Sequence, residues 1–326
     1  MTRQTLTANY LNTISWFNNT IVDWDSAGTQ YFLDGSTKQL RKYHLGLPSS
    51  AAITTPDGMY NFIYSRLGTK GLLLKNGELL REIDRSYYCA DVYEYPAAFA
   101  TVKNKTYLIH CPISYKQLDF EDVETGQLIT NIPGREPIDF FHSRLEISPD
   151  GKYLIDRGWA WHPLDWLEVY NIQDCLDNPK LLDNSTLSPD IGTEICTASF
   201  INSSKILIGS SNEVINNERA DEMPIKSLAI WDLETNRISN PTKVNGTFGN
   251  LFAINDDYAW DMFDYPKIIN IHTGEIVDKD ETIDSGKRNS AIAYSLNEYP
   301  QIIFNRDTKQ IALSGKDKIE VLTPTL

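Results

Sequence analysis

Of the five histidines, His110 and His162 fall where apolar runs give way to longer polar segments and His142 ends the polar segment between them, while Asp91, Asp139 and Asp165 lie in segments of the same kind. Imidazoles beside carboxylates are the raw material of a metal centre or an acid–base pair. A site of that kind at the mouth of a channel would make the chain a hydrolase or lyase. None of the three histidines has the spacing of helical or strand ligands, so hydrogen bonding of each ring to a neighbouring loop outweighs the metal reading. The sequence holds no G-x-S-x-G, H-E-x-x-H, Walker or dinucleotide fingerprint, so no catalytic residue, no metal and no cofactor is assigned. The acidic run Asp278-Lys279-Asp280-Glu281 lacks the glycine and ligand period of a calcium loop and reads as solvated surface. Cys89, Cys111, Cys175 and Cys196 stand singly, without any C-x-x-C pair, and are expected as free thiols, with Cys111 and Cys196 buried.

The aromatic residues carry a second kind of chemistry. Tyr87, Tyr88, Tyr93, Tyr95, Trp161 and His162 crowd into two segments, DRSYYCADVYEY and RGWAWHPLD, which hold more rings than a connecting loop needs. Polar-tipped rings on loops above a rigid scaffold suit recognition of a ligand or partner. The candidate binding set is Tyr87, Tyr88, Asp91, Tyr93, Tyr95, His110, Tyr115, His142, Arg157, Trp159, Trp161, His162 and Asp165. The competing reading is packing: Trp159, Trp161 and Trp166 would equally serve as filler between sheets.

The elements that must position these residues are short antiparallel strands. Around Leu145–Ile172 an alternating run meets a Ser148-Pro149-Asp150-Gly151 turn, a second run follows, and a third alternates Trp166, Glu168, Tyr170 and Ile172. The pattern recurs. Innermost strands are predicted near Ile14, Ser50, Ala97, Ser143, Ile195, Gly249 and Gln301, each followed by a second run (TIVDW, MYNFIY, TYLIHC, KYLIDR, KILIGS, YAWDMF, QIALSG). Third-to-fourth hairpins repeat as Asp122–Gly126, Asp232–Asn236 and Asn270–Gly274. Seven such units over residues 1–326 predict a single all-β domain, a seven-bladed β-propeller of four-stranded antiparallel blades. The last unit lacks a fourth strand, and residues 1–10 are expected to supply it and close the ring.

The SPDGKYL stretch at 148–154, TPDGMY at 55–60 and the D-x-E-T-G and D-x-E-T-N hairpins resemble the bacterial WD40-like and YncE-like seven-bladed β-propellers. Of the Trp-Asp pairs that mark standard WD40 repeats, Trp231-Asp232 is the good match. The resemblance implies a binding scaffold, most often non-catalytic, and transfers no catalytic residue. Strand alternation puts the tight Pro-Asp-Gly and Glu-Thr-Gly turns on one side. The long segments, among them 84–95, 131–142, 157–166 and 210–226, then share the other side.

Net charge bounds the partners. With 44 acidic against 30 basic residues and a formal charge of −14, the chain lacks the basic stripe of a nucleic-acid binder. A basic protein or peptide suits it better. Neither a basic-then-apolar leader nor a run of roughly 20 apolar residues is present, so a cytoplasmic, monomeric protein away from the membrane is expected. The function expected is non-enzymatic engagement of a protein or peptide through the aromatic loop face. The alternatives are the hydrolase or lyase above and a cytosolic immunity or antitoxin-type protein.

Overall fold

The computed structural model of the chain describes residues 1–161, 163–185, 187–293 and 299–326. Turn chemistry builds the strands. The hydroxyls of Thr55 and Ser148 donate to Asp57 Oδ1 (2.6 Å) and Asp150 Oδ1 (2.7 Å), which in turn accept the N–H groups of Met59 and Lys152. The same hydroxyls accept the N–H groups of Tyr60 and Tyr153, where the next strands begin. Gly58 and Gly151, at φ +71° and +74°, take the left-handed position each turn requires. At the repeated hairpins one side-chain oxygen accepts two successive N–H groups. Asp122 binds Glu124 and Thr125, Asp232 binds Glu234 and Thr235, and Asn270 binds His272 and Thr273.

The strands assemble into an all-β, seven-bladed propeller of mostly four-stranded antiparallel blades, and the chain divides into two compact units. The first unit, residues 1–91 with the described part of 295–326, holds three blades. Blade 1 is Ser15–Phe17, Thr20–Asp23, Thr29–Tyr31 and Thr37–Gln39. Blade 2 is Ala51–Thr54, Tyr60–Tyr64, Lys70–Lys75 and Glu78–Asp84. Blade 7 is Ile302–Asn305, Gln310–Gly315 and Lys318–Thr323, and its outer strand is the N-terminal Thr2–Thr7, as expected.

The second unit, residues 92–293, holds four blades. Blade 3 has three strands, Ala98–Val102, Lys105–His110 and Asp119–Asp122; only a bridge from Glu121 to Leu128 stands where a fourth would run. Blade 4 pairs Tyr153–Ala160 with Leu164–Asn171, and two short strands, Phe140–Phe141 and Glu146–Ile147, lie along the inner side. Blade 5 is Thr193–Phe200, Lys205–Val214 and Ser227–Asp232, with Arg237–Ile238 and Thr242–Lys243 both pairing the third strand. Blade 6 is Leu251–Ala253, Tyr258–Asp261, Lys267–Asn270 and Ile276–Lys279.

Within each unit, apolar cores lie between successive sheets. Val22 and Trp24 of blade 1 meet Ile63 and Leu74 of blade 2, and Tyr153, Ile155 and Val169 of blade 4 meet Phe200, Ile206 and Trp231 of blade 5. A polar anchor crosses each of three blades at an equivalent place, the fourth residue of the second strand. Asp23 accepts the Asn12 N–H at 2.7 Å, Asp156 the Ser143 N–H at 3.0 Å, and Asp261 those of Gly249 and Asn250 at 3.0 and 2.9 Å. Each carboxylate is buried, so each needs those donors, and each thereby fixes the segment entering its own innermost strand.

Blade 4 departs from the sequence expectation in two places. The segment 157–166, expected as a long loop, is mostly strand, for Tyr153–Ala160 and Leu164–Asn171 stay in register from Tyr153↔Asn171 to Ala160↔Leu164. Arg157 and Trp159 are therefore strand residues. The innermost strand expected to start at Ser143 is instead split. Ser143 turns its N–H to Asp156, Arg144 adopts φ +49°, and Phe140–Phe141 pairs Trp159 and Ala160 before that break. Gly158 permits the close approach, since a Cβ there would lie 2.1 Å from the Phe141 carbonyl oxygen. Blade 5 departs similarly: its second strand runs on to Val214, into the 210–226 segment expected as loop.

Candidate functional site

The aromatic residues of blades 3 and 4 form one continuous set centred on Phe141. Trp159 stacks on Phe141 at 3.9 Å between ring centroids and 7° between planes, and Tyr115 stacks on it at 4.4 Å. Tyr93 meets Phe141 edge-on at 5.3 Å, while Trp161 meets it at 5.4 Å and Trp159 at 5.3 Å, again edge-on. Position relative to the strand end accompanies the grading, since residues two apart share one face of a strand. Trp159 points inward and is 3% exposed, whereas Trp161, one residue past the strand end, is 45% exposed. Tyr115 is half-buried and donates its hydroxyl to Asp139 at 2.6 Å, which joins the segment after blade 3 to the one before Phe140. Ile113 and Ile138, near Tyr115 and Asp139 in the chain, are exposed as well. The result is an apolar edge whose outermost ring, Trp161, is backed by rings already fixed in place.

The other predicted residues fall elsewhere. Tyr87, Tyr88 and Asp91 are exposed and belong to the first unit; Tyr87 is 83% exposed. Tyr93 and Tyr95 are buried, and Tyr93 forms a backbone bridge with Ile292. His110 is buried with Nε2 2.9 Å from Glu121, its neighbour on the third strand of blade 3. His142 is buried with Nδ1 2.5 Å from Asp156 and Nε2 3.1 Å from the Lys116 carbonyl oxygen. His110 thus pairs with a strand residue and not with a loop. Both rings lack the solvent access that an acid–base centre needs, and His162 lies outside the described residues. Among the described residues no group of three or more His, Cys, Asp or Glu is placed to hold a metal ion.

Arg157 and Asp165 join a buried ionic network. Arg157 donates to the carbonyls of Arg144 and Ala198 and pairs with Glu146 at 3.2 Å. Asp165 accepts the Ala291 N–H at 2.7 Å and lies 3.6 Å from Arg144, while its own N–H donates to Glu194. Burial lifts the Asp165 carboxyl to about 6 against the opposing pull of Arg144. Burial likewise lifts Glu168 to about 7, although the Ser185 hydroxyl and the Trp166 indole N–H favour its charged form.

Sequence reading missed Phe141, the hub of the aromatic set, because a two-residue strand gives no alternation to detect. It also missed Lys267, which is fully buried, bonded to Asp261 at 2.9 Å and 4.4 Å from the Tyr265 ring centroid. The anchors Asp23, Asp156 and Asp261 were legible in principle, as the polar fourth residue of TIVD, YLID and YAWD.

Fold and site together define a seven-bladed β-propeller with an apolar edge on two of its blades. A chain of the "Crystal Structure of Mitotic Checkpoint Complex" is similar in structure, with a TM-score of 0.60 and 11% sequence identity over 98% of this chain and 91% of that one. Likeness at that identity is likeness of fold. No protein-family model matches the sequence, and no curated protein matches it. Among the described residues, no helix is long and apolar enough to cross a membrane.

Proposed function

We propose that the chain is a non-enzymatic scaffold that holds a protein or peptide partner against the Trp161–Tyr115 edge of blades 3 and 4. The observation that carries this reading is the state of Trp161, which is half exposed yet packed against Phe141 and Trp159. A large ring held in its binding orientation before contact loses little entropy on binding, which is how aromatic hot spots act. Ile113 and Ile138, close in the chain to Tyr115 and Asp139, are exposed as well, and the charge of −14 favours a partner with basic groups around an apolar anchor. The structural likeness to a chain of a multi-protein complex supports a protein partner.

The test compares Trp161→Ala with Glu234→Ala, a change in an exposed hairpin turn of blade 5. Partners captured from the native host by the wild-type protein should bind Trp161→Ala about 30-fold more weakly, the roughly 2 kcal/mol of a hot spot. Glu234→Ala should bind as the wild type does, and both variants should melt at the parental temperature. A Trp161→Ala protein that keeps every partner removes this edge from the function.

A further inference from the structure

Three guanidinium groups meet in the interior of the second unit, and two of them are fully engaged there. Arg144 donates from Nε to the Arg157 carbonyl (3.0 Å) and from Nη1 to the Cys196 carbonyl (3.1 Å), with Asp165 beside Nη2. Arg157 donates from Nε to the Arg144 carbonyl (2.9 Å) and from Nη1 to Ala198 (2.6 Å), with Glu146 at 3.2 Å. Arg288 differs. Its Nη1 is held by Glu94 Oε1 at 2.5 Å, while Nε and Nη2, both shielded from solvent, have no acceptor among the described residues.

Nε–H and Nη2–H point the same way along one edge of the guanidinium plane, the fork that matches the two oxygens of a carboxylate. Leaving two such donors buried without acceptors is unfavourable. Each of the three guanidinium groups has one carboxylate partner, Asp165, Glu146 and Glu94. Burial, opposed by Asp165 and reinforced by Arg288 and Arg157, holds Arg144 down at about 10. We propose that the Nε–Nη2 edge of Arg288 binds a small carboxylate, of formate or acetate size, inside the second unit and independently of the Trp161 edge. Glu94 fixes the plane of the fork by holding Nη1.

Acetate and formate are the probes. Sodium acetate, compared with sodium chloride at matched pH and ionic strength, should raise the melting temperature of the wild-type protein saturably. The apparent affinity should fall at least tenfold in Arg288→Lys, the loss of one charge-assisted hydrogen bond, and should be unchanged in Arg237→Lys, an exposed position on blade 5. A parallel measurement is free of the variant's folding: ¹³C-acetate should broaden on titration into wild-type protein and sharpen when formate displaces it. Equal responses to acetate and chloride, or ¹³C-acetate lines that never broaden, mean that water fills the fork and overturn the proposal. Full acetate affinity in a folded Arg288→Lys protein overturns it equally.

Discussion

Glu168 and Asp156 face each other across the central hairpin of blade 4, both buried, with His142 on Asp156 and the Trp166 indole on Glu168. Burial raises the Glu168 carboxyl to about 7 from its ordinary 4.5, with the neighbouring Asp156 adding to the shift. A carboxyl raised in the folded state binds its proton more tightly there than in the unfolded chain. Its contribution is therefore complete below about 4.5 and is lost as pH rises through about 7. Glu168→Gln should flatten that decline and gain on the order of 3 kcal/mol relative to the parent at pH 8. Denaturant melts at pH 5 and 8 measure it, and an unchanged pH slope refutes it. Trp159 gives a second residue-scale expectation, as the buried member of the stack whose exposed member is Trp161. Trp159→Ala should cost about 3–5 kcal/mol of stability, seen as a lower melting temperature, where Trp161→Ala leaves the melt in place. Equal melts for the two would mean that the grading from core to surface is wrong.

Strand Thr2–Thr7 shows how an element far away in sequence completes a sheet. It pairs residue for residue with Lys318–Thr323, from Thr2↔Thr323 to Thr7↔Lys318. Arg3 and Thr5 donate to the Glu320 carboxylate, with Lys318 on the same group, and the Arg3 bond does most to pull that carboxyl down to about 2. Leu6 and Ala8 bury against Ile319, Val321 and Ile21. Removal of residues 1–10 should expose the edge of Lys318–Thr323 and cost roughly 2–3 kcal/mol from the lost apolar burial alone. The truncated protein should melt earlier and less cooperatively in calorimetry; a melt coincident with the parent's would show that the strand adds nothing. Glu320 acts in the opposite pH direction to Glu168. Its carboxyl is depressed on folding, so its stabilisation is present above about 4.5 and is lost as pH falls through about 2.

At the scale of the whole chain, the apolar cores between sheets within each unit hold three of the four thiols inside, while Trp161 stays outside. Cys111, Cys175 and Cys196 are buried and Cys89 is partly exposed, and all four are free. Burial pushes Cys175 up to about 12, so it is inert as well as hidden. A thiol reagent without reductant should label Cys89 alone in the native protein and all four cysteines in denaturant; fewer than four in denaturant would reveal a disulfide. The blade count and the turns were determined by the sequence alone, because period-two alternation and Asx-type turns act between residues that are neighbours along the chain, and the place of the N-terminal strand followed from the count, which left the last unit one strand short. Thr55–Asp57 and Ser148–Asp150 make the same bonds because they are the same short motif. Burial was decided by the tertiary structure. Tyr93, His110, His142 and Asp165 looked like loop residues on a working face and lie in the interior, whereas Trp161 emerges, because what covers each of them comes from a strand tens of residues away. Phe141 and Arg288 gain their surroundings only when Trp159, Tyr115, Glu94 and Arg144 arrive from other strands and loops, and no local pattern in the chain encodes that meeting.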